Sequence, residues 1–213
     1  SALIKECVVS DKGLGSIALD TKLDSGKVVM KDVAPGISLD VSQINFAVTD
    51  FSLGKPFNFA LQAAYMSDVP NIDVKGLVNY DMATQGVLLN DLVFNTDLGA
   101  WPLARLKTEL APLKDVPLPQ KLDGILQVVV KELAAGPQGV GDFKVDATLQ
   151  GGEVSMKNAA PGVDFDATKI DLAVNGFSLK LPFTVALKMA YLNDAQNINL
   201  QGTVDYSMVA QTV

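Results

Sequence analysis

Protein chemistry usually starts from a histidine, a cysteine or a pair of carboxylates, and this sequence offers almost none of the first two. Among 213 residues there is no histidine and one cysteine, Cys7. That removes the commonest general base, the Ser/His/Asp and Cys/His nucleophile pairs, and the commonest metal ligand. No CxxC or Cys/His cluster is available for a metal, and a lone cysteine makes no internal disulfide. Cys7 reads as a small core hydrophobe rather than a reactive thiol. Carboxylates remain. Asp20 and Asp146, and likewise Asp40 and Asp166, stand on polar strand faces, where solvent-facing acids are ordinary. Gly13-Leu14-Gly15 and Gly139-Val140-Gly141 resemble a phosphate loop in composition only. No helical pattern follows them to supply the dipole that binds phosphate, so they read as turns. The sequence thus predicts no enzyme, no metal and no cofactor.

Charge removes a second class of function. The net charge is −7 and the pI is about 4.5, the wrong sign for nucleic acid or for polybasic attachment to anionic lipid. Hydrophobic residues make up 48% and charged residues 19%, which is a globular composition. The longest apolar runs, such as Ile125 to Val130 broken by Gln127, fall far short of the roughly 18 residues of a membrane span. The chain begins without a methionine or a signal-peptide pattern, so any membrane contact is expected through parts of a parent protein outside this segment.

Internal repetition decides the architecture. Ser25-Gly-Lys-Val-Val-Met-Lys-Asp-Val-Ala-Pro-Gly36 returns as Gly151-Gly-Glu-Val-Ser-Met-Lys-Asn-Ala-Ala-Pro-Gly162. Phe51-Ser-Leu-Gly-Lys-Pro-Phe57 returns as Phe177-Ser-Leu-Lys-Leu-Pro-Phe183, and Asn71-Ile-Asp-Val-Lys-Gly76 as Asn197-Ile-Asn-Leu-Gln-Gly202. Every pair is offset by 126 without a gap, and residues 1–87 match 127–213 at 35 of 87 positions. The expected organisation is a first β-repeat over 1–87, a spacer over 88–126 and a second, truncated β-repeat over 127–213. Because the second copy stops where Val213 matches Val87, the chain is expected to be a fragment of a longer array.

Within each repeat the hydrophobic period is two, the signature of strands with one apolar face. Phe57, Phe59, Leu61, Ala63 and Tyr65 share a face, as do Phe183, Val185, Leu187, Met189 and Tyr191. The next strand places Ile72, Val74, Val78 and Tyr80 together, and its copy Ile198, Leu200, Val204 and Tyr206. Between Ile37 and Leu53 the alternation changes phase, which predicts a β-bulge near Ser42/Gln43 and another near Thr168/Lys169. Pro35-Gly36, Pro161-Gly162, Asp68–Asn71 and Asn193–Asn197 mark turns. The prediction is an all-β antiparallel meander of roughly twelve strands, each about 7 to 16 residues long and joined by short turns. One short helix is expected near 102–112. Pro102 opens it, Leu103, Leu106 and Leu110 follow at helical spacing, and Pro112, Pro117 and Pro119 end it. It would cover an end or one side of the apolar face.

The apolar stripe can be read in two ways. Two sheets, or one sheet closed on itself, would bury it as an ordinary core. A sheet that stays open would leave a trough for hydrocarbon. Periodicity does not separate these, and composition alone favours the closed core.

The strand-rich repeats, the Phe51–Phe57 junction with its copy at Phe177–Phe183, and the Leu/Pro-rich spacer from Leu98 to Leu122 resemble the AsmA-like (AsmA/TamB-type) family of Gram-negative bacteria. That resemblance implies a periplasmic segment of a parent protein anchored in the inner membrane, forming a repeating β-groove that conducts phospholipid toward the outer membrane. It moves the balance toward the open trough. The groove lining would be Phe57, Phe59, Leu61, Tyr65, Val74, Val78 and Tyr80, with Phe183, Val185, Leu187, Tyr191, Leu200, Val204 and Tyr206. The partners would be a phospholipid or other acyl-chain lipid and, through unpaired sheet edges, another copy of the chain. Two other readings are a structural or surface-exposed β-repeat protein with a closed core and no ligand, and a soluble carrier with one enclosed pocket.

Overall fold

In the computed structural model the described residues are 1–10, 13–34, 37–52, 54–81, 85–137, 139–178 and 181–205. Eleven strands among them form one sheet, each strand hydrogen-bonded to the next in chain order. The first repeat supplies β1 (Ala2–Ser10), β2 (Gly13–Ala34), β3 (Ile37–Ser52), β4 (Phe57–Tyr65) and β5 (Ile72–Asp81). Next come β6 (Gly86–Asp97), a helix α1 (Leu103–Glu109) and β7 (Lys121–Gly136). The second repeat continues with β8 (Gly139–Ala160), β9 (Val163–Phe177), β10 (Phe183–Tyr191) and β11 (Ile198–Val204). All pairings are antiparallel. The sheet is an all-β meander that does not close into a barrel.

Several details differ from the sequence reading. Strands β2 and β8 run to 22 residues each, longer than expected, because Ser25-Gly26 and Gly151-Gly152 are absorbed as bulges instead of ending a strand. The glycine pairs Gly13/Gly15 and Gly139/Gly141 lie in the first residues of β2 and β8, where Gly13 pairs with Ser10 and Gly139 with Gly136; they are strand residues, not turns. Pro161-Gly162 is a turn as expected, whereas Pro35-Gly36 lies outside the described residues. Cys7 is exposed, not a core hydrophobe. It sits on the edge strand β1, whereas its counterpart Leu133 is flanked by β6 and β8 and half-buried.

The phase change of the alternation is a bulge at the expected place in both repeats. Ser42 pairs with Ala64 but Asn45 with Gln62, so Gln43 is extra, at φ 50°. Thr168 pairs with Ala190 but Asp171 with Lys188, so Lys169 is extra, also at φ 50°. The other irregularities repeat as well. The β2–β3 register shifts at Leu19/Thr21, Leu23/Gly26, Gly26/Val28 and Met30/Ala34, and the β8–β9 register at the positions 126 residues on. Left-handed backbone marks Ser25 and Gly151 (φ 55° and 60°), and Asp50 and Gly176 (φ 60° and 73°). The first copy therefore holds a side chain at two left-handed positions where the second has glycine.

Side chains on the polar face fasten these bulges. Asp20 in β2 accepts from Lys5 Nζ (2.8 Å), at the irregularity of β1, and from the Asp50 backbone N–H (2.8 Å), at the irregularity of β3. In the second repeat Asp146 does the same with Lys131 Nζ and the Gly176 N–H. A lysine and a backbone donor hold both carboxyls below their ordinary range. Asn45 and Asp171 likewise accept from the Ser25 and Gly151 N–H groups, at 3.1 Å each. The paired acids thus have a structural role.

Helix α1 falls where expected and lies at an end of the sheet. The segment 98–120 joins β6 to β7 and folds back past the short β4–β5 hairpin to the longer β3. There Leu110 bridges Ile37, and Arg105 donates to Asp40 at 2.5 Å and to Glu109 at 2.6 Å. Much of the true burial in the molecule is here: Ala63, Ala64, Met66, Asn71, Thr96 and Leu106 are all nearly inaccessible. The accessible surface of the chain is 13419 Å², whereas a compact monomer of this mass exposes about 9,500 Å². The excess is what a single uncovered layer produces.

Two outcomes are expected for stability. Ser25→Gly should raise it by about 0.5 kcal/mol and Gly151→Ser should lower it by a similar amount, because a left-handed residue with a Cβ costs more than the extra chain entropy of glycine; urea unfolding measures both. The Asp146 contribution has a definite sign with pH. Its carboxyl is depressed in the folded state, so the stabilisation is complete above its unfolded pKa of about 4 and disappears as pH falls below that. Asp146→Asn should therefore lower stability by about 1 kcal/mol at pH 7, a modest figure because Lys131 is half-exposed. The difference from the unsubstituted protein should vanish near pH 2 in a melting-temperature series.

Candidate functional site

In an antiparallel pair, residues directly opposite one another lie on the same face of the sheet. Following such pairs across the molecule traces a single line: Leu23, Phe46, Leu61, Val74, Phe94, Val128, Ala147, Val174, Val185 and Gly202. It crosses ten strands without meeting a polar side chain. Nine inter-strand steps give it a span of about 43 Å.

The residues singled out from the sequence fall on this face. Phe57 is opposite Val78, Leu61 opposite Val74, and Tyr80 opposite Val87. Phe59 is opposite Val48 and Tyr65 opposite Val41. In the second repeat Phe183 is opposite Val204, Leu187 opposite both Leu200 and Leu172, Val185 opposite Val174, and Tyr191 opposite Ala167. Tyr206 lies outside the described residues. Aromatic contacts knit the face locally. Phe51 meets Phe57 and Phe177 meets Phe183, each with ring centroids 5.1 Å apart and edge to face, while Phe165 stacks on Tyr191 at 5.5 Å.

These side chains shelter one another, and no described residue forms a layer over them. Phe57, Phe59, Leu61, Tyr65, Val74 and Val78 are half-buried, as are Phe183, Val185, Leu187, Tyr191 and Val204. Tyr80 is 42% exposed and Leu200 60%. Among the described residues no second sheet packs on this face, and the helical segment 98–113 sits at one end of it. Among the described residues the closed core favoured by composition does not form, because every described strand belongs to one sheet that is not closed into a barrel. Alternation specifies which side chains share a face, and it carries no information on whether a second layer covers that face.

Sequence reasoning also missed part of the face. Phe94 in β6 carries the line through what reads as a spacer to Val128 in β7, at the start of the second repeat, joining the two repeats into one surface. The signal was present: Val87 and Leu89 alternate in one phase, Leu92 and Phe94 in the other. The phase changes at Asp91, which has φ 49° and is the extra residue opposite β5.

The end of the face near α1 holds a polar chain. Trp101 Nε1 donates to Thr96 Oγ1 (2.7 Å), which donates to Asn71 O (2.6 Å). Asn71 clamps the β4–β5 turn, accepting from the Tyr65 N–H (2.8 Å) and donating back to Tyr65 O (3.1 Å). Burial raises the Tyr65 hydroxyl pKa, with Glu109 adding to the effect. At the opposite end Asn79, Val87, Leu88, Ala134, Ala135 and neighbouring residues line a shallow, mostly apolar depression of about 640 Å³. Among the described residues no group of three His, Cys, Asp or Glu gathers as metal ligands would, and no helix is long and apolar enough to cross a membrane. Comparison of the chain with protein-family models, with characterised proteins and with solved structures gives no match.

Proposed function

We propose that this chain is a non-enzymatic lipid-binding segment whose apolar sheet face holds phospholipid acyl chains and conducts them along the line of strands. The observation that supports this reading best is the apolar row through ten strands with no covering layer among the described residues. An exposed apolar surface of more than a few hundred Å² is unusual on a soluble monomer and marks a binding surface. Acyl chains suit such a surface because they need continuous dry contact and no directed hydrogen bonds. The resemblance to the AsmA-like family supports the same reading and adds a periplasmic setting in a parent protein anchored in the inner membrane.

The repeat fits this task. A row of side chains about 4.8 Å apart across the strands offers hydrocarbon a path with no deep well to hold it in one place. Duplicating the unit lengthens the path without a new design, since each strand contacts only its neighbours.

Two measurements carried out together test the reading. Organic extraction of the native protein should yield co-purified phospholipid, and a fluorescent fatty-acid probe should bind the delipidated protein. Leu61→Glu and Leu187→Glu should each weaken probe binding about tenfold while leaving circular dichroism and melting temperature nearly unchanged, because on an open face the new charge reaches water. Absence of both lipid and probe binding would overturn the proposal. Global unfolding of both variants would also count against it, since that is the behaviour of a sealed core in which an unpaired charge costs several kcal/mol.

A further inference from the structure

The two repeats build the same notch at the end of the sheet, and in only one of them is it filled by described residues. In the first repeat the short β4–β5 hairpin leaves the longer β3 projecting past it, and segment 98–113 occupies the space. Beneath that segment Met66 and Asn71 are each 2% exposed. Thr96 donates to Asn71 O, Arg105 to Asp40, and Leu110 bridges Ile37. An offset of 126 carries Met66, Asn71, Asp40 and Ile37 to Leu192, Asn197, Asp166 and Val163. There Leu192 is 74% exposed, Val163 is 49% exposed, and Asn197 and Asp166 are both exposed.

The second notch is nevertheless fully formed. Asn197 accepts from the Tyr191 N–H (2.8 Å) and donates back to Tyr191 O (2.9 Å), reproducing the Asn71 clamp. Lys169 Nζ donates to Asp194 O as Gln43 Nε2 donates to Asp68 O. A polar corner, an apolar side chain, a carboxylate and an unpaired strand edge are therefore held in the arrangement that grips a segment in the first repeat. Such preorganisation lowers the ordering cost of binding. Asp166 makes no ion pair among the described residues. Lys121, which feels the charge of Asp166, is itself held by Glu153 at 2.6 Å.

We propose that the notch of the second repeat is a docking site for a separate polypeptide segment with the chemistry of residues 96–114. Such a segment carries a hydroxyl and a tryptophan for the Asn197–Tyr191 corner and an arginine for Asp166. A short apolar helix would cover Leu192, and an extended leucine would add to the Val163 edge. One difference shapes the fit. Tyr191 is already stacked on Phe165, whereas Tyr65 faces Trp101 at 6.1 Å. The docking tryptophan therefore meets the outer side of a preformed aromatic pair.

The test uses the full chain and a labelled synthetic peptide of residues 96–114, followed by fluorescence anisotropy. Saturable one-to-one binding is expected, weakened at least tenfold by Asp166→Lys and by Leu192→Asp in protein whose circular dichroism is unchanged. A peptide carrying Arg105→Glu should bind the Asp166→Lys protein better than the unsubstituted peptide does. Asp40→Lys, in the filled notch, should leave peptide affinity unchanged. The proposal is overturned by no saturable binding at millimolar peptide, or by binding insensitive to both second-notch substitutions. Sensitivity to Asp40→Lys equal to that at Asp166 would overturn it too, since the peptide would then be displacing the resident segment.

Discussion

The backbone ladder is the constraint on which everything else in this molecule rests. A buried N–H or C=O must find a partner, and here each interior strand pairs on both sides with its neighbours in the chain. Cohesion therefore runs along the sheet, through hydrogen bonds and same-face side-chain pairs worth about 0.2 to 1 kcal/mol each. It does not depend on a second layer pressed onto the first. With the ladder supplying cohesion, the apolar face can stay uncovered. The β6–β7 connection shows the complement of this rule. Helix α1 leads into Leu110, which bridges Ile37 on the projecting edge of β3, where the ladder of described strands ends.

Bulges give this sheet its individual shape. A bulge bends its strand and increases the local twist, so a line of bulges across neighbouring strands acts as a crease. Such a line runs through Lys5, Asp20 and Asp50 and returns at Lys131, Asp146 and Gly176. In both cases one carboxylate links the irregularities of the two flanking strands. The crease is thus built from polar-face chemistry while its effect is felt on the apolar face. At the next irregularity along β2 and β8, Gly26 and Gly152 show how tightly that face is fitted, since a Cβ on either would lie 3.0 Å or less from a leucine methyl.

Much of this was legible in the sequence. Alternation identified the face, the phase change between Val41 and Ile44 located a bulge, and the proline-bounded leucines located the helix. These are local signals with a fixed period, and the period survives in the fold. What the sequence did not disclose was context. Cys7 and Leu133 occupy the same position of the repeat, yet one lies on an edge strand and the other is flanked on both sides. Phe94 looked like spacer because it has no partner in the other copy, although the sheet runs straight through it. Above all, a period of two is the same whether the apolar side meets another sheet or nothing. That question is settled by the order of the strands in space.

That order also has a kinetic consequence. Sheets become slow to fold when their strands must find partners far away in the chain, because loop closure is lost entropy before any contact repays it. Here strand order in space is strand order in sequence, so each new strand meets an edge already formed by its predecessor. The growing end presents the edge of the preceding strand as a template. A chain delivered N-terminus first can assemble by accretion, one hairpin at a time. Among the described residues the longest detour is the return of segment 98–113 to β3, where Arg105 reaches Asp40, 65 residues back, and Leu110 reaches Ile37, further still; it closes onto strands already in place. Lengthening such a molecule adds steps to its assembly without making any single step harder.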